Sequence, residues 1–357
     1  MNPTIKLLRV IGSPFAPATE VPDDETEASE LYNLAVRNKI PLLYLEALKG
    51  QKSLKKLEKE YEDECGGYVR FLDAATRAST VLSGTNIEYA LFKTIKPYPA
   101  VSGDIDIVVL GDDDIYNRAF RMYLEAGYKE EVDTPGPTAG DLLDLNTNIW
   151  VDLQDKLGMS HFVYMDKDKF EGQLVISRLP GGEEVKTPTP ELDLAIVIIH
   201  SVAEQLFLLG EYYNFLYRLS EMDEQGIGRF IEVLKYHRLM AAARSFIAVA
   251  SALCLEAHRA IPQKCHIILE RIGRDTSEAT NLQNHNFTLP HRYRLFSLFK
   301  VFMEKIREGK FRRSVAAQTL HMLDPRLAKH VIGEMIERRK REYYIKDIVQ
   351  DQTKLKD

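Results

Sequence analysis

Residues 101–109 read VSGDIDIVV, an apolar run that carries two aspartates one residue apart. The alternation of polar and apolar positions predicts a β-strand, in which successive side chains point to opposite faces. Asp104 and Asp106 therefore share one face, and Ile105 and Ile107 share the other. Two carboxylates at this spacing repel each other unless a cation lies between them. We expect a divalent cation there, because Mg²⁺ prefers carboxylate oxygens, and two solvated aspartates at a strand end are the alternative.

Two further segments favour the metal-binding interpretation. Residues 87–92 (IEYALF) predict a strand, and Lys93 and Thr94 follow it, before a proline-containing connection to the two aspartates. Residues 148–154 (NIWVDLQ) alternate like another half-buried strand and contain a third carboxylate, Asp152. If this strand lies beside the first, the three carboxylates converge. Three carboxylates with a lysine nearby are suited to binding two Mg²⁺ ions and the phosphates of a nucleotide.

These features together resemble the nucleotidyltransferase superfamily that includes DNA polymerase beta, and more narrowly the family of uncharacterised nucleotidyltransferases. The residues that carry the resemblance are the helix at 31–44, LFKT at 91–94, GDID at 103–106 and VDL at 151–153. The superfamily usually has a Gly-Ser turn before the aspartates, whereas this chain has Lys93-Thr94 at the corresponding place. The resemblance implies an α+β fold with a nucleotidyltransferase-type mixed β-sheet flanked by helices.

The resemblance also implies a reaction, namely transfer of an NMP from an NTP to a hydroxyl group, with release of pyrophosphate and with Mg²⁺ or Mn²⁺ as cofactor. It implies that Asp104, Asp106 and Asp152 are the catalytic and metal-binding residues. The nucleotide-binding residues that it implies are Lys93, Thr94, Lys96, Ser102 and Gly103. The sequence leaves the acceptor open between RNA or tRNA, a protein and a small molecule, and it also leaves open a role as the toxin of a toxin–antitoxin pair.

Two other functions agree with the same residues. A metal-dependent glycosyltransferase also uses an Asp-x-Asp pair at a strand end, but it normally has a larger Rossmann-like nucleotide domain upstream. The first 86 residues here indicate mainly helix and loop instead. A non-catalytic scaffold or regulator with the nucleotidyltransferase fold is the second alternative, which the altered turn at Lys93-Thr94 favours. The three aspartates argue against a scaffold, because buried carboxylates without a partner are costly.

The chain has 357 residues, of which 45% are hydrophobic and 28% charged, as is typical of globular proteins. We predict three parts, an N-terminal helical segment at 1–66, a catalytic domain at 67–187 and an all-α C-terminal helical domain at 188–357. Thr189 and Pro190 have the residue types of a helix N-cap and a first helical position, and they mark the start of the third part.

Hydrophobic periodicity and turn residues predict the individual elements. In the first two parts they predict helices at 31–48, 54–64, 68–82 and 112–126. The turn PGG at 180–182 predicts a hairpin made of strands at 173–177 and 183–186. In the third part the pattern predicts helices at 191–210, 211–223, 227–236, 239–257, 290–308, 311–323 and 326–345.

Charge is distributed unevenly along the chain. The formal net charge is -6, yet Lys and Arg outnumber Asp and Glu between residues 300 and 346. A nucleic acid such as RNA would be attracted to a basic patch there through counterion release, and a solvated helix face explains the same charges. The densest basic clusters are Arg312-Arg313 and Arg338-Arg339-Lys340-Arg341.

No stretch predicts export or membrane insertion. The apolar run at the N-terminus is too short for a signal peptide, and charged residues interrupt the stretches at 194–210 and 239–255, which we expect to be buried core helices. The three cysteines have no metal-site spacing, so we expect reduced thiols and a cytoplasmic location. Among the histidines, we expect His161 to lie in a surface loop and His200 to lie in the core.

Overall fold

The computed structural model describes residues 2–130, 139–159 and 162–321, together with positions 329 and 333. The fold is mixed α+β, as predicted, with a small mixed β-sheet and 13 α-helices in the described residues. The sheet lies in the middle of the chain. Helices precede it, flank it and follow it.

The N-terminal segment is helical. The predicted single helix at 31–48 is wrong, because the chain breaks at Lys39, where φ is 58°, and Pro41 starts a new helix. The helices, with a 3-10 turn at Lys55–Leu57 between the last two, are α1 (Pro3–Ile11), α2 (Glu25–Arg37), α3 (Pro41–Gly50) and α4 (Glu58–Leu82).

The long helix α4 replaces the two helices predicted at 54–64 and 68–82. It continues through Gly66 and Gly67, although glycine costs roughly 1 kcal/mol in a helix interior. A Cβ atom at Gly67 would lie 3.8 Å from the side chain of Val101, so this glycine lies where the connection to the next element passes close to the helix. The predicted boundary between residues 66 and 67 falls inside α4.

The central sheet contains the strands predicted around the aspartates. Its strands are β1 (Tyr89–Leu91), β2 (Asp104–Val109), β3 (Lys129–Glu130), β4 (Ala139–Asp144) and β5 (Ile149–Gln154), in the order β1-β2-β5-β4-β3. β2 and β5 are parallel, and the other neighbouring strands are antiparallel. Helix α5 (Asp113–Glu125) follows β2, and the side chain of Asp112 caps it by accepting a hydrogen bond from the N–H of Ile115.

The two faces of the sheet belong to different hydrophobic cores. Ile105, Ile107, Val151 and Leu153 pack with residues of α4 and α5 in the smaller core. On the opposite face, Val108 belongs to the larger core, which consists mainly of C-terminal helices. Because side chains alternate along a strand, the aspartates of β2 lie on the same face as Val108. They therefore face the C-terminal helices.

Two antiparallel hairpins connect the sheet to the C-terminal domain. The first consists of β6 (Leu157–Met159) and β7 (Phe162–Met165), and a 3-10 helix at Lys167–Phe170 follows it. The second consists of β8 (Leu174–Arg178) and β9 (Glu184–Pro188), which confirms the hairpin predicted from PGG.

The C-terminal part of the chain is predominantly helical, and its first helix has the predicted N-cap, since the hydroxyl of Thr189 accepts a hydrogen bond from the N–H of Leu192. Its helices are α6 (Pro190–Ala203), α7 (Leu209–Glu221), α8 (Glu224–Tyr236), α9 (Met240–His258), α10 (Gln263–Ile272), α11 (Ser277–Asn284), α12 (Leu295–Lys305) and α13 (Gly309–His321). Two short strands, β10 (Leu206–Phe207) and β11 (His291–Arg292), pair with each other.

The helices of this domain differ from the predicted ones in two places. The helix predicted at 290–308 begins only at Leu295, because residues 291 and 292 pair with β10. Helices α10 and α11 were not predicted. The helix predicted at 326–345 lies outside the described residues, apart from positions 329 and 333.

Helix α9 is, in the described part of the chain, the one helix whose length and composition would suit a membrane span. Of its most apolar window, 78% is buried inside the protein. Such burial is expected of a core helix, which is what the sequence predicted for this stretch.

Candidate metal centre

Parallel pairing of β2 with β5 brings three carboxylates together. Asp106 lies directly opposite Asp152, and Asp104 lies opposite Trp150. Residues in register on neighbouring strands point to the same face of a sheet, so all three carboxylates share the face towards the C-terminal helices. One oxygen of each carboxylate lies within 4.8 Å of the others. The structure thus assembles the three aspartates that the sequence singled out.

Negative charge dominates this cluster. Asp106 is only 3% exposed, and burial raises the pKa of its carboxyl well above the usual value, although Lys93 opposes this effect. Burial, followed by the charge of Asp104, raises the pKa of Asp152 to about 6. Oδ1 of Asp152 is buried and has no hydrogen-bond partner within the described residues. Enclosed like charges are costly without enough opposite charge, and three carboxylate oxygens suit a hard divalent cation such as Mg²⁺ or Mn²⁺.

Gln154 also belongs to the cluster. It lies two residues after Asp152, on the same face of β5, and its Nε2 donates to Oδ2 of Asp152 and, over 3.4 Å, to Oδ1 of Asp106. An amide between two carboxylates lowers their repulsion without adding charge. The sequence analysis overlooked Gln154, although the alternation in NIWVDLQ placed it on the correct face.

Lys93 supplies positive charge. Its Nζ lies 3.0 Å from Oδ1 of Asp106. Burial lowers the pKa of this ammonium, but the nearby carboxylates, led by Asp106, outweigh burial and raise the pKa above its usual value. Lys93 is therefore charged at neutral pH. Its backbone has φ 48°, a left-handed conformation that is uncommon for residues other than glycine.

Asp193 holds the backbone of Lys93 from the C-terminal domain. The N–H of Lys93 donates to Oδ1 of Asp193 over 2.7 Å, and Asp193 is 5% exposed in the first turn of α6. Nη2 of Arg218 lies 3.8 Å from Oδ2 of Asp193 and donates to the carbonyl of Ile95 over 3.1 Å. Two residues of α6 and α7 therefore fix the turn that carries Lys93. The sequence analysis missed both, because an acid in a first helical turn is already explained by the helix dipole.

Thr94 is buried, and its hydroxyl is engaged with the backbone. The hydroxyl donates to the carbonyl of Phe92 over 3.0 Å and accepts from the N–H of Asp106 over 2.9 Å. These bonds tie the turn after β1 to β2, the strand that carries Asp104 and Asp106. The other predicted nucleotide-binding residues here, Ser102 and Gly103, form the entry to β2, where Ser102 is half-buried and Gly103 exposed.

Lys96 is half-buried in the connection between β1 and β2. Burial lowers the pKa of its ammonium to about 8, and the positive charge of Lys39 adds to this, while Glu211, Asp104 and Asp106 act in the opposite direction. The charges of Asp104 and Asp106 thus act on the ammonium of Lys96. Its role in nucleotide binding stays a prediction.

A tyrosine and a histidine form a polar pair between β7 and α6. Oη of Tyr164, on β7, lies 3.4 Å from Nδ1 of His200, on α6. Burial, then the charge of Lys93, lowers the pKa of His200 to about 4, so the imidazole is neutral at neutral pH. The sequence predicted a core histidine, and the structure places His200 half-buried on α6. His161 lies outside the described residues.

The predicted basic patch is partly neutralised where the structure describes it. Lys300 pairs with Asp275, Lys310 pairs with Asp166 and Asp168, and Lys305 is buried. Arg312 and Arg313 are exposed on α13. The cluster Arg338-Arg339-Lys340-Arg341 lies outside the described residues, so RNA binding stays a prediction.

Comparison with known proteins adds no relative to this picture. No protein-family model matches the chain, and no curated protein matches it. The nucleotidyltransferase resemblance therefore rests on the residues of this chain alone.

Proposed function

We propose that this protein is a metal-dependent nucleotidyltransferase that transfers an NMP from an NTP to a hydroxyl group of an acceptor. The observation that carries this proposal is the cluster of Asp104, Asp106 and Asp152 with Lys93 at its edge. Carboxylates on adjacent strands of a small mixed sheet, flanked by helices, agree with the nucleotidyltransferase-type arrangement that the sequence resembles. Carboxylate-bound metal ions with a lysine beside them suit in-line attack on a nucleotide phosphorus.

Asp104, Asp106 and Asp152 would hold Mg²⁺ or Mn²⁺. The fit rests on three hard oxygen donors within 4.8 Å and on the buried oxygen of Asp152 that has no hydrogen-bond partner in the described structure. When bound, such ions neutralise phosphate charge and lower the pKa of an attacking hydroxyl. The neighbouring Gln154 keeps two of the three carboxylates in place.

The side chains around the three carboxylates take part in the transfer reaction itself. The acceptor oxygen forms a bond to the α-phosphorus of the NTP, the bond from that phosphorus to the bridging oxygen breaks, and pyrophosphate leaves. Asp152, whose carboxylate lies in the cluster with Asp104 and Asp106, accepts or relays the hydroxyl proton. The ammonium of Lys93 moves from Asp106 to the phosphates, where it offsets their charge. Thr94 supports this turn through its backbone bonds rather than by binding phosphate.

Incubation with each α-labelled NTP, in Mg²⁺ or Mn²⁺ with an RNA and protein extract, tests the proposal. We expect label in an RNA band, a protein band or a small-molecule product with the wild-type protein, and none with Asp104→Asn or Asp106→Asn. Asp113→Asn is the matched control, because Asp113 is exposed in the first turn of α5. The class of the labelled product identifies the acceptor.

Two outcomes would overturn the proposal. The absence of label with every nucleotide, together with the absence of Mn²⁺ binding, would leave the scaffold alternative. Transfer of a sugar from a nucleotide sugar, dependent on the same aspartates, would establish the glycosyltransferase alternative instead.

A further inference from the structure

We propose that helix α12 binds the surface of an anionic membrane through an exposed apolar side, without spanning the bilayer. This side, the α12 face, consists of Leu295, Phe296, Phe299 and Met303. None of the four residues belongs to the candidate metal centre. The inference therefore goes beyond the proposed function and does not depend on it.

Helix α12 has its apolar side in solvent and a partly polar side in the core. The four side chains of the α12 face are between 49% and 59% exposed. Their spacings of three, four, seven and eight residues place them on one side of the helix. The opposite side packs inwards and contains Ser297, Val301 and Lys305, of which Ser297 and Lys305 are each 1% exposed. A surface helix normally turns its apolar side to the core, so α12 has the reverse arrangement.

The polar groups on the inward side have partners, which fixes this orientation of α12. The hydroxyl of Ser297 donates to the buried carboxylate of Glu278. Nζ of Lys305 donates to the carbonyl of His237 over 2.8 Å and lies 2.6 Å from Oε2 of Glu308. Rotating the helix to bury its phenylalanines would break these bonds, and a buried polar group without a partner is costly. The apolar side therefore stays outside, and a contiguous exposed apolar face indicates an interaction surface.

The charge around the α12 face is positive. Between residues 294 and 321, seven residues are Lys or Arg and two are Asp or Glu. Both acids have partners within the protein, because Glu304 accepts from the first two N–H groups of α9 and Glu308 pairs with two lysines. Arg307 and Arg312 are exposed and form no ion pair within 4.0 Å in the described residues. An anionic partner would complement this charge.

The cations lie at the rim of the α12 face. Arg307 follows the helix directly, and the rings of Phe302 and Phe311 are 5.4 Å apart, which brings the start of α13, with Arg312, to the end of α12. Within the helix, Nζ of Lys300 lies 4.6 Å from the centroid of the Phe296 ring. A helix side of Leu, Phe and Met with Lys and Arg at its rim has the composition of helices that lie in the interface of a membrane.

Charge and side-chain type favour a lipid surface over other partners. A second copy of this chain would bring the same arginines against each other, because identical faces meet in a two-fold dimer. Single-stranded RNA is bound by aromatic rings that stack on bases, but half of the α12 face is aliphatic. Anionic lipids offer acyl chains to all four side chains of the face and negative headgroups to the arginines.

Co-sedimentation of the full chain with vesicles tests the inference. We expect binding to vesicles composed equally of phosphatidylglycerol and phosphatidylcholine, and weaker binding to phosphatidylcholine alone. Phe296→Ser and Phe299→Ser should each weaken binding about tenfold, because each removes a large apolar side chain from the contact. Arg307→Gln should weaken binding to the anionic vesicles about fivefold, because it removes one positive charge near the lipid surface.

Ile176→Ser is the matched control, because Ile176 is 60% exposed on β8, away from α12 in sequence. Its affinity for vesicles should equal that of the wild-type protein. Both phenylalanine variants should keep the wild-type midpoint of thermal unfolding, since their side chains are exposed. Asp104→Asn should bind vesicles like the wild-type protein, so vesicle binding and nucleotide transfer can fail independently.

The absence of vesicle binding by the wild-type protein would overturn the inference, and so would wild-type affinity in both phenylalanine variants. Sedimentation velocity and binding of single-stranded RNA test the other partners. A dimer that Phe299→Ser dissociates, without vesicle binding, would assign the α12 face to a second copy of the chain. RNA binding that Phe299→Ser abolishes, again without vesicle binding, would assign the face to RNA.

Discussion

Replacing Asp152 by Asn should make the protein more stable when no divalent cation is bound. Asn has the same size and can still accept the hydrogen bond from Gln154, but it removes one of the three negative charges. In the folded chain, burial and the charge of Asp104 raise the pKa of Asp152 to about 6. An aspartate in an unfolded chain has a pKa of about 3.9. Folding therefore disfavours the ionised form of Asp152.

The sign and size of the effect follow from proton linkage. Well below pH ~4, Asp152 is protonated in both states and contributes no penalty. As the pH rises through about 4 to 6, the unfolded chain loses its proton first, and the free energy of unfolding falls. Above this range the fall in the free energy of unfolding is complete, and it amounts to about 3 kcal/mol for a difference of roughly two pKa units. Because Asp152 is half-buried by area, solvent screening reduces our expectation to about 2 kcal/mol.

Urea denaturation of wild type and Asp152→Asn, in EDTA, measures this difference. The variant should be more stable by about 2 kcal/mol at pH 8 and by less than half of that at about pH 4.5. Saturating Mn²⁺ should then reverse the order, since a ligand at 100 times its Kd adds about 2.7 kcal/mol to a protein that binds it. Asp144→Asn is a control of opposite sign, because Asp144 pairs with Arg77 over 2.9 Å and its substitution should destabilise.

Two results would refute this reasoning. A variant no more stable than wild type in EDTA at pH 8 would show that the carboxylates do not repel one another in the folded state. A stability advantage that Mn²⁺ leaves unchanged would show that no cation binds at Asp152.

Three further predictions concern other charged residues. Lys93→Met should lower the midpoint of thermal unfolding in EDTA, because Asp106 loses its counter-charge. Mn²⁺ should restore most of the lost stability. A midpoint in EDTA equal to that of the wild-type protein would contradict this prediction. Asp193→Ala should reduce nucleotide transfer at least about tenfold without changing Mn²⁺ affinity, whereas Asp193→Asn, which keeps an acceptor for the N–H of Lys93, should retain more activity. Glu278→Gln should lower the free energy of unfolding, measured in urea, by about 3 kcal/mol. The reason is that the buried carboxylate of Glu278 binds His291 and the backbone N–H of Arg294. A loss under about 1 kcal/mol would contradict this prediction.

The carboxylate cluster was predictable because strand alternation is a local property. Asp104 and Asp106 had to share a face once 101–109 formed a strand, and the alternation around Asp152 had the same period. The pairing of the two strands was an additional inference, since nothing in either segment specifies its neighbour. The structure confirms that pairing through the register of Asp106 with Asp152.

The features that the sequence analysis missed depend on contacts between distant segments. The left-handed backbone of Lys93 is held by Asp193, which is 100 residues later in the chain, and no periodic pattern reports such a bond. The same limit applies to the break at Lys39, which packs on Gly210. The opposite error occurred at residues 65–67, where the sequence analysis predicted a gap between two helices and α4 is continuous through Gly66 and Gly67.

Burial within the cluster indicates from which side a cation enters. Asp106 is the innermost carboxylate, whereas Asp104 and Asp152 are half-buried and Gly103, before Asp104, is exposed. The opening therefore lies at the start of β2. The turn that carries Lys93 beside this cluster is held by Asp193 and Arg218 of the C-terminal domain, so the candidate site depends on the sheet and on the helices that follow it.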